Sequence, residues 1–400
     1  MRIVHLLVSD GFGGAERVAT TLHRLLRRAG HESFIEAPRL PEIEAGLRRD
    51  LGHEGDVLLE AALRGATTRA SRAYRASVWA QGARVRVRAA SPDVVHVHLP
   101  SPSYLGRGLA IVGRRPAVVT FHLLPPDRFP ADRRLKIPSS WVLWAVSRMP
   151  SVRRQYVTVA RGDLARLHHW VPPSRLHCVP NAPPLPPERD DATGPVFSDI
   201  PSTTLRLLTV GRLVAQKGST RLLTALANPR VRRLPFVLAI VGDGPERRAC
   251  EQIVAEAGLG DKVRFLGAIS AHRVFEEADL LILPSRFEGL PLVLLEGLMA
   301  KVPVLASAIP PHSEVLGASS PALLPSDESA WPARFEEVFL SEALRISLGD
   351  ACRASTPRAP HERLLMRYLE LYHTAQAHSA KARPPSAKPS TKPSAQSTDG

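Results

Sequence analysis

The sequence predicts an α/β protein built as two Rossmann-like halves. Three observations carry that prediction. The chain opens on an apolar run, a glycine-rich turn and an amphipathic helix, one β-loop-α unit over residues 3–30. The same grammar restarts at residue 205, after a Pro-, Asp- and Thr-rich linker at 183–202. Residues 280–305, LLILPSRFEGLPLVLLEGLMAKVPVL, read as strand, polar loop, helix and strand. Units of this kind bring ligand-binding loops to the carboxyl ends of parallel strands.

Composition sets the outer limits. Four hundred residues, 44% of them apolar, suffice for two domains with real cores. The formal charge of +15 fits nucleic acid, an anionic membrane surface or phosphate-rich ligands. Much of the excess is Arg scattered through helices, and no nucleic-acid-binding motif accompanies it, so we expect no nucleic-acid partner. The three cysteines, Cys178, Cys250 and Cys352, lie far apart and form neither a disulfide framework nor a zinc motif, which implies a reducing compartment. The apolar run at 3–8 ends at Asp10-Gly11, too short for a signal peptide. No run of about 18 apolar residues occurs, so no transmembrane helix is expected. The expected location is cytoplasmic, with possible peripheral contact to the inner face of the membrane.

In chain order, the first loop carries Gly13 and Gly14, which allow close backbone approach at a helix N-terminus. A tight turn needing positive φ is the alternative. The loop is not G-x-G-x-x-G, because Ala15-Glu16 follow directly, which counts against a dinucleotide enzyme. Residues 31–37 read as the second strand; 39–90 show no clean strand pattern. DVVHVHLP puts His96 and His98 on one strand face. AVVTFHLLPP puts His122 at the carboxyl end of a buried strand. Arg133, Arg134 and Lys136, followed by Trp141 and Trp144, fit either a membrane-touching surface or a helix packing its tryptophans inward. A strand at 155–160 and a helix at 161–170 follow.

In the second half, Arg212 and Lys217 occupy the loop after a strand, where a fork and a point charge suit a diphosphate. The turn Glu288-Gly289-Leu290-Pro291 leaves backbone N–H groups free at a helix start, which favours an anion. Glu288 and Glu296 are eight residues apart, on the order of 10 Å at about 1.5 Å per helical residue. That is too far for an acid/base couple and suits gripping two ends of one extended ligand. Residues 361–377 form a late amphipathic helix. The Ala-, Pro-, Ser- and Lys-rich tail at 378–400 lacks apolar core residues and is expected to be disordered.

Glu288 and Glu296, within EGLPLVLLEGLMAKVPVLAS, resemble the E-x7-E motif of the GT-B fold retaining glycosyltransferases called family 4 or group 1. GGAER at the first loop and G-R-L-x-x-x-K-G at 211–218 are similar to the same family. The resemblance covers roughly 3–377, strongest at 205–316 and weakest at 39–90. It implies two Rossmann-like domains facing across a cleft, with the last helix crossing back to the first. The implied domains are 1–182 with helix 358–377, a linker at 183–202, a nucleotide-sugar domain at 203–357 and the tail at 378–400.

The resemblance also implies roles. Glu288 would meet the donor sugar, with Gly289, Leu290 and Pro291 beside it, and Glu296 the ribose. Arg212 and Lys217 would hold the diphosphate. Leu266 and Gly267 would lie near the base. Gly13 and Gly14 would flank diphosphate and acceptor, and His122 would approach the sugar. Glu288, His122, Arg212 and Lys217 are the expected catalytic set. The expected reaction moves a sugar from a nucleotide-sugar to a hydroxyl of a glycan or lipid-linked acceptor, with retention. No D-x-D occurs, so neither metal nor cofactor is expected. The alternatives are a nucleotide-sugar 2-epimerase of the same fold and a non-catalytic sugar-nucleotide-binding partner. Two departures from the family pattern stand out: Asn181-Ala182 where Asn-Gly is usual, and 310–314, PPHSE, where a glycine-rich turn is common.

Overall fold

The computed structural model describes residues 1–52, 57–60, 69–100, 102–124, 154–188 and 194–380. Two parallel sheets organise them. The first holds β1 (Arg2–Leu7), β2 (Glu32–Pro38), β3 (Val57–Glu60), β4 (Val94–Leu99), β5 (Ala117–Phe121), β6 (Arg154–Thr158) and β7 (Leu176–Cys178), in the order 3-2-1-4-5-6-7. The second holds β8 (Leu205–Val210), β9 (Phe236–Val241), β10 (Val263–Gly267), β11 (Leu280–Leu283), β12 (Val304–Ser307) and β13 (Leu323–Leu324), in the order 10-9-8-11-12-13. The strands are short and apolar because helices cover both faces; VVHVHL of β4 and FVLAIV of β9 are buried throughout.

The helices of the first half are α1 (Gly14–Arg28), α2 (Pro41–Leu51), α3 (Arg69–Ala89), α4 (Leu105–Val112) and α5 (Gly162–Leu167). Those of the second are α6 (Ser219–Leu226), α7 (Pro229–Arg232), α8 (Arg247–Glu256), α9 (His272–Glu277), α10 (Leu292–Met299), α11 (Pro310–Leu316), α12 (Trp331–Leu340) and α13 (Glu342–Ser355). The last helix, α14 (Pro360–Ala380), returns to the first sheet. Its Leu364, Tyr368, Leu371 and Tyr372 share a core with Ile3 of β1, Leu22 and Leu26 of α1 and Val118 of β5. The fold is therefore two Rossmann-like domains with a C-terminal helix crossing back.

Each sheet reverses its strand order at one point, between β1 and β4 and between β8 and β11. Loops leaving neighbouring strands there run to opposite faces and open a crevice at the strands' carboxyl ends. The first crevice receives the Gly13 loop and the end of β4. The second receives the Arg212 loop and the Glu288 turn.

Residues 39–90, which carry no legible strand pattern, hold α2, β3 and α3. Arg86 of α3 makes a two-point pair with the fully buried Glu36 of β2, at 2.9 and 2.7 Å. Trp79, Ala83 and Val87 of the same helix pack into the core beside that pair. Three-residue β7 also went unread. The stretch with Arg133, Arg134, Lys136, Trp141 and Trp144 lies outside the described residues, as does the tail from 381.

Candidate active site

The two crevices meet. Gly289, in the turn before α10, lies so close to the first domain that a Cβ there would stand 1.9 Å from the His122 carbonyl oxygen. Only glycine permits that approach. One residue on, the Leu290 carbonyl accepts from Asn181 Nδ2 at 2.9 Å. Asn181 and Ala182 are both buried, and Ala182 keeps negative φ, so alanine serves here without strain. Glu314 of α11 adds a further bridge by accepting the Arg161 N–H at 3.1 and 2.9 Å.

Glu288 sits in a polar cage. Its Oε1 accepts from Lys217 Nζ at 2.6 Å and Ser285 Oγ at 2.7 Å; its Oε2 accepts from Gln216 Nε2 at 3.2 Å. Lys217 arrives there because Gly218, φ +70°, ends its loop and caps α6. A Cβ on Gly218 would meet the Pro284 carbonyl at 2.1 Å, so the two loops pack backbone to backbone. Arg212 differs. It is exposed, and among the described residues its side chain makes no hydrogen bond or ion pair. Its charge is felt by Glu16 across the cleft. Burial pushes the Glu16 carboxyl up, against the Gly13 N–H it accepts at 2.8 Å and the Arg212 charge.

Glu296 lies in α10, an otherwise apolar helix wedged between sheet and cleft. Its carboxylate is engaged by Arg17 of α1, at 3.2 and 2.8 Å. Burial pulls the Arg17 pKa down, but the Glu296 and Asp50 carboxylates outweigh it and the net shift is up. Leu266 and Gly267 end the edge strand β10. They lie two strands from β8, and Gly267 O accepts the N–H of Gly242, the residue after β9, at 2.7 Å. Gly13 and Gly14 sit at the start of α1. Gly13 is extended, with φ −152°, and neither takes positive φ, so the turn does not require glycine for left-handed backbone.

Lys217, Gly289, Glu288 and His122 are thus brought to one place, Glu296 is joined to Arg17, and Arg212 faces Glu16. Leu266 and Gly267, at the sheet edge, connect to the Arg212 loop through Gly242, whose Cα packs against the Gly211 carbonyl.

Sequence reasoning missed Arg17, Glu16 and His312. The PPHSE segment is the first turn of α11, where prolines are well suited because their missing N–H is unneeded. It buries His312 in a cavity of about 10 Å³ with Lys217, Ser285 and Glu288. His312 Nδ1 donates to the Ser307 carbonyl at 2.8 Å. Burial holds the ring's pKa below its ordinary value despite the opposing pull of Glu288. Every residue lining that cavity belongs to the second domain.

Residues 12–183 match the glycosyltransferase family 4 description and residues 194–353 the glycosyl transferases group 1 description. A D-inositol 3-phosphate glycosyltransferase of Pseudarthrobacter chlorophenolicus is 26% identical over 304 residues, 71% of each chain. A 2-deoxystreptamine glucosyltransferase of Streptomyces kanamyceticus is 34% identical over 118 residues, 29% of this chain and 30% of that protein. The second match therefore spans about a third of that relative's length. Among solved structures, Anabaena HepE in complex with UDP and glucose superposes with a TM-score of 0.70 at 17% identity, covering 94% of this chain and 100% of that one. WaaG, a glycosyltransferase involved in lipopolysaccharide biosynthesis, superposes with 0.67 at 17%, covering 92% and 99%. With both halves matched, two switch-point crevices closed against each other and both motif glutamates at the junction, the chain belongs to the group 1 (family 4) glycosyltransferases of GT-B fold.

Proposed function

We propose that this glycosyltransferase of glycan biosynthesis moves a sugar from a nucleotide-sugar to a hydroxyl of a glycan or lipid-linked acceptor, with retention and without a divalent metal. One observation carries the reading. Arg212 is a cation with no partner among the described residues, at the mouth of a crevice whose other cation, Lys217, is held 2.6 Å from Glu288. An open guanidinium in the same loop as a half-buried lysine, at the carboxyl end of β8, is placed for an incoming polyanion.

In this reading the donor diphosphate lies against Arg212 and draws Lys217 off Glu288. Both cations neutralise charge that grows as the glycosidic bond breaks. Glu288, released from Lys217 but still held by Ser285, then accepts from the sugar's hydroxyls. Glu296 accepts from the ribose once Arg17 moves. His122 and the Gly13 backbone close the sugar from the other domain, and Leu266-Gly267 border the base. The HepE complex with UDP and glucose supports a uridine nucleotide as the first donor to try. Absence of a D-x-D pair and the presence of two cations support metal-free chemistry.

Isothermal calorimetry with UDP, GDP and ADP in EDTA tests the donor site. One nucleotide should bind, and more weakly in Arg212→Ala and Glu296→Ala. Binding to none of the three, or equal binding in both variants, removes the reading. Anomeric NMR of the product then tests retention, and loss of donor without acceptor would mark an epimerase instead.

A further inference from the structure

A row of histidines runs from the cleft into the first domain. His122 Nε2 lies 3.1 Å from His98 Nδ1, and His98 Nε2 lies 3.0 Å from His5 Nδ1. All three side chains are buried, at 8%, 1% and 0% exposure. The register explains the row. His5 pairs with His96 and His98 with Thr120, so all of these point to one sheet face, and His122 follows two residues after Thr120. Both ends of the row are open: among the described residues, His122 Nδ1 and His5 Nε2 have no partner.

Burial keeps these rings neutral, each with one N–H and one lone pair. Two hydrogen bonds through three neutral rings permit only two arrangements. Either every ring carries its proton on Nδ1, or every ring carries it on Nε2. Each arrangement leaves one buried N–H without a partner: Nε2–H of His5 in the second, Nδ1–H of His122 in the first. His5 is sealed in the sheet at 0% exposure, whereas His122, at 8%, borders the cleft, where a ligand oxygen can accept. Orphaned buried N–H groups are rare, so the first arrangement, whose open N–H a ligand can satisfy, is the favoured one.

We propose that His98 and His5 are positioning residues that fix His122 as the Nδ1–H form, a neutral hydrogen-bond donor to an oxygen of the bound sugar. This rests on the reading that His122 borders the donor. It adds a consequence: His122 holds a proton on Nδ1 and accepts one from His98 at Nε2. It therefore cannot take the acceptor hydroxyl's proton, which must leave by another group.

His5, His96 and His98 also group closely enough to suggest a metal site. His96, however, has Nδ1 on Tyr372 Oη and Nε2 on Thr120 Oγ1, both at 2.8 Å, and both His98 nitrogens serve the row. A cation there would break those bonds and find no carboxylate in the group to balance it.

The test is two-bond nitrogen–proton NMR on the full chain labelled with ¹⁵N-histidine, without ligand. Wild type should show His122, His98 and His5 protonated at Nδ1. His98→Leu should turn His122 from mostly Nδ1–H to mostly Nε2–H, while His98→Asn, whose Nδ2–H replaces the donor, should keep Nδ1–H. Should His98→Leu fail to fold, His5→Leu against His5→Asn reads the same coupling one ring further away. An Nε2–H wild type, an unchanged His122 in the leucine variants, or one equivalent of zinc in the purified chain would each overturn the proposal. None of these readouts uses a nucleotide-sugar, so failure of the relay and failure of the donor reading are separable.

Discussion

Arg17, on the first helix of one domain, grips both carboxylate oxygens of Glu296 in the other, at 3.2 and 2.8 Å. The side chains retain 29% and 15% exposure, so the pair is neither fully solvated nor dry. It holds the cleft shut and occupies the carboxylate assigned to ribose.

Ribose and Arg17 therefore compete for Glu296. Arg17→Ala should tighten binding of the preferred nucleotide by about twofold to fivefold, the range for losing a partly exposed ion pair. Small-angle scattering should show a larger radius of gyration in the same variant. If Arg17→Ala weakens the nucleotide as much as Glu296→Ala does, Arg17 is part of the donor site and the competition does not exist.

Arg212→Ala should separate catalysis from stability. Removing a charge that meets the leaving diphosphate should lower kcat by about 10²-fold. Because the Arg212 side chain is exposed and has no hydrogen bond or ion pair among the described residues, its loss should leave the melting temperature unchanged. Near-normal turnover in this variant would remove Arg212 from the mechanism.

Gly289→Ala tests closure. The added methyl would sit 1.9 Å from the His122 carbonyl and 3.2 Å from Val159 Cγ2, both in the other domain. The clash lies between the domains, so it should oppose closure without unfolding either. Turnover should fall by about 10²-fold, as a misplacement near 1 Å can cause, with thermal stability nearly kept. A normal rate would mean that the reacting state is more open than this one.

How much of this could be read from the chain depended on whether the signal was local. The strands of both sheets are near-continuous apolar runs because each is covered on both faces, and such runs are visible residue by residue. Glu288, Lys217, Arg212 and His122 were legible as types at the ends of strands. Their arrangement was not. Lys217 meets Glu288 across 71 residues, and only the strand order brings those two loops together. Arg17 reads as one more charge on an amphipathic helix, since nothing in GAERVATT marks that position as facing another domain. His5 reads as a polar interruption in RIVHLL; its partner lies 93 residues away. His312 hid behind two prolines that suggest a turn and instead begin a helix.

The buried histidines make a prediction about acid. His122 is held at about 3 by burial, and His5, His96, His98 and His312 are lowered for the same leading reason. In the unfolded chain each returns to an ordinary value near 6.5. Between those values the unfolded state binds more protons, so the stability these rings contribute is complete above about 6.5 and is lost as pH falls toward the folded values. Burial works in the opposite direction on Asp163, pushed up to about 6, and on Glu16, but these are two carboxyls against five rings. Each excess proton is worth about 1.4 kcal/mol per pH unit. The melting temperature should therefore drop steeply from about pH 7 to about pH 5. His122→Gln should reduce the slope by about one proton, since glutamine cannot titrate. Calorimetric melts at half-unit steps give both slopes. A melting temperature that stays level over that range would mean that the row accepts protons while folded, and the neutral rings on which the relay depends would be lost with it.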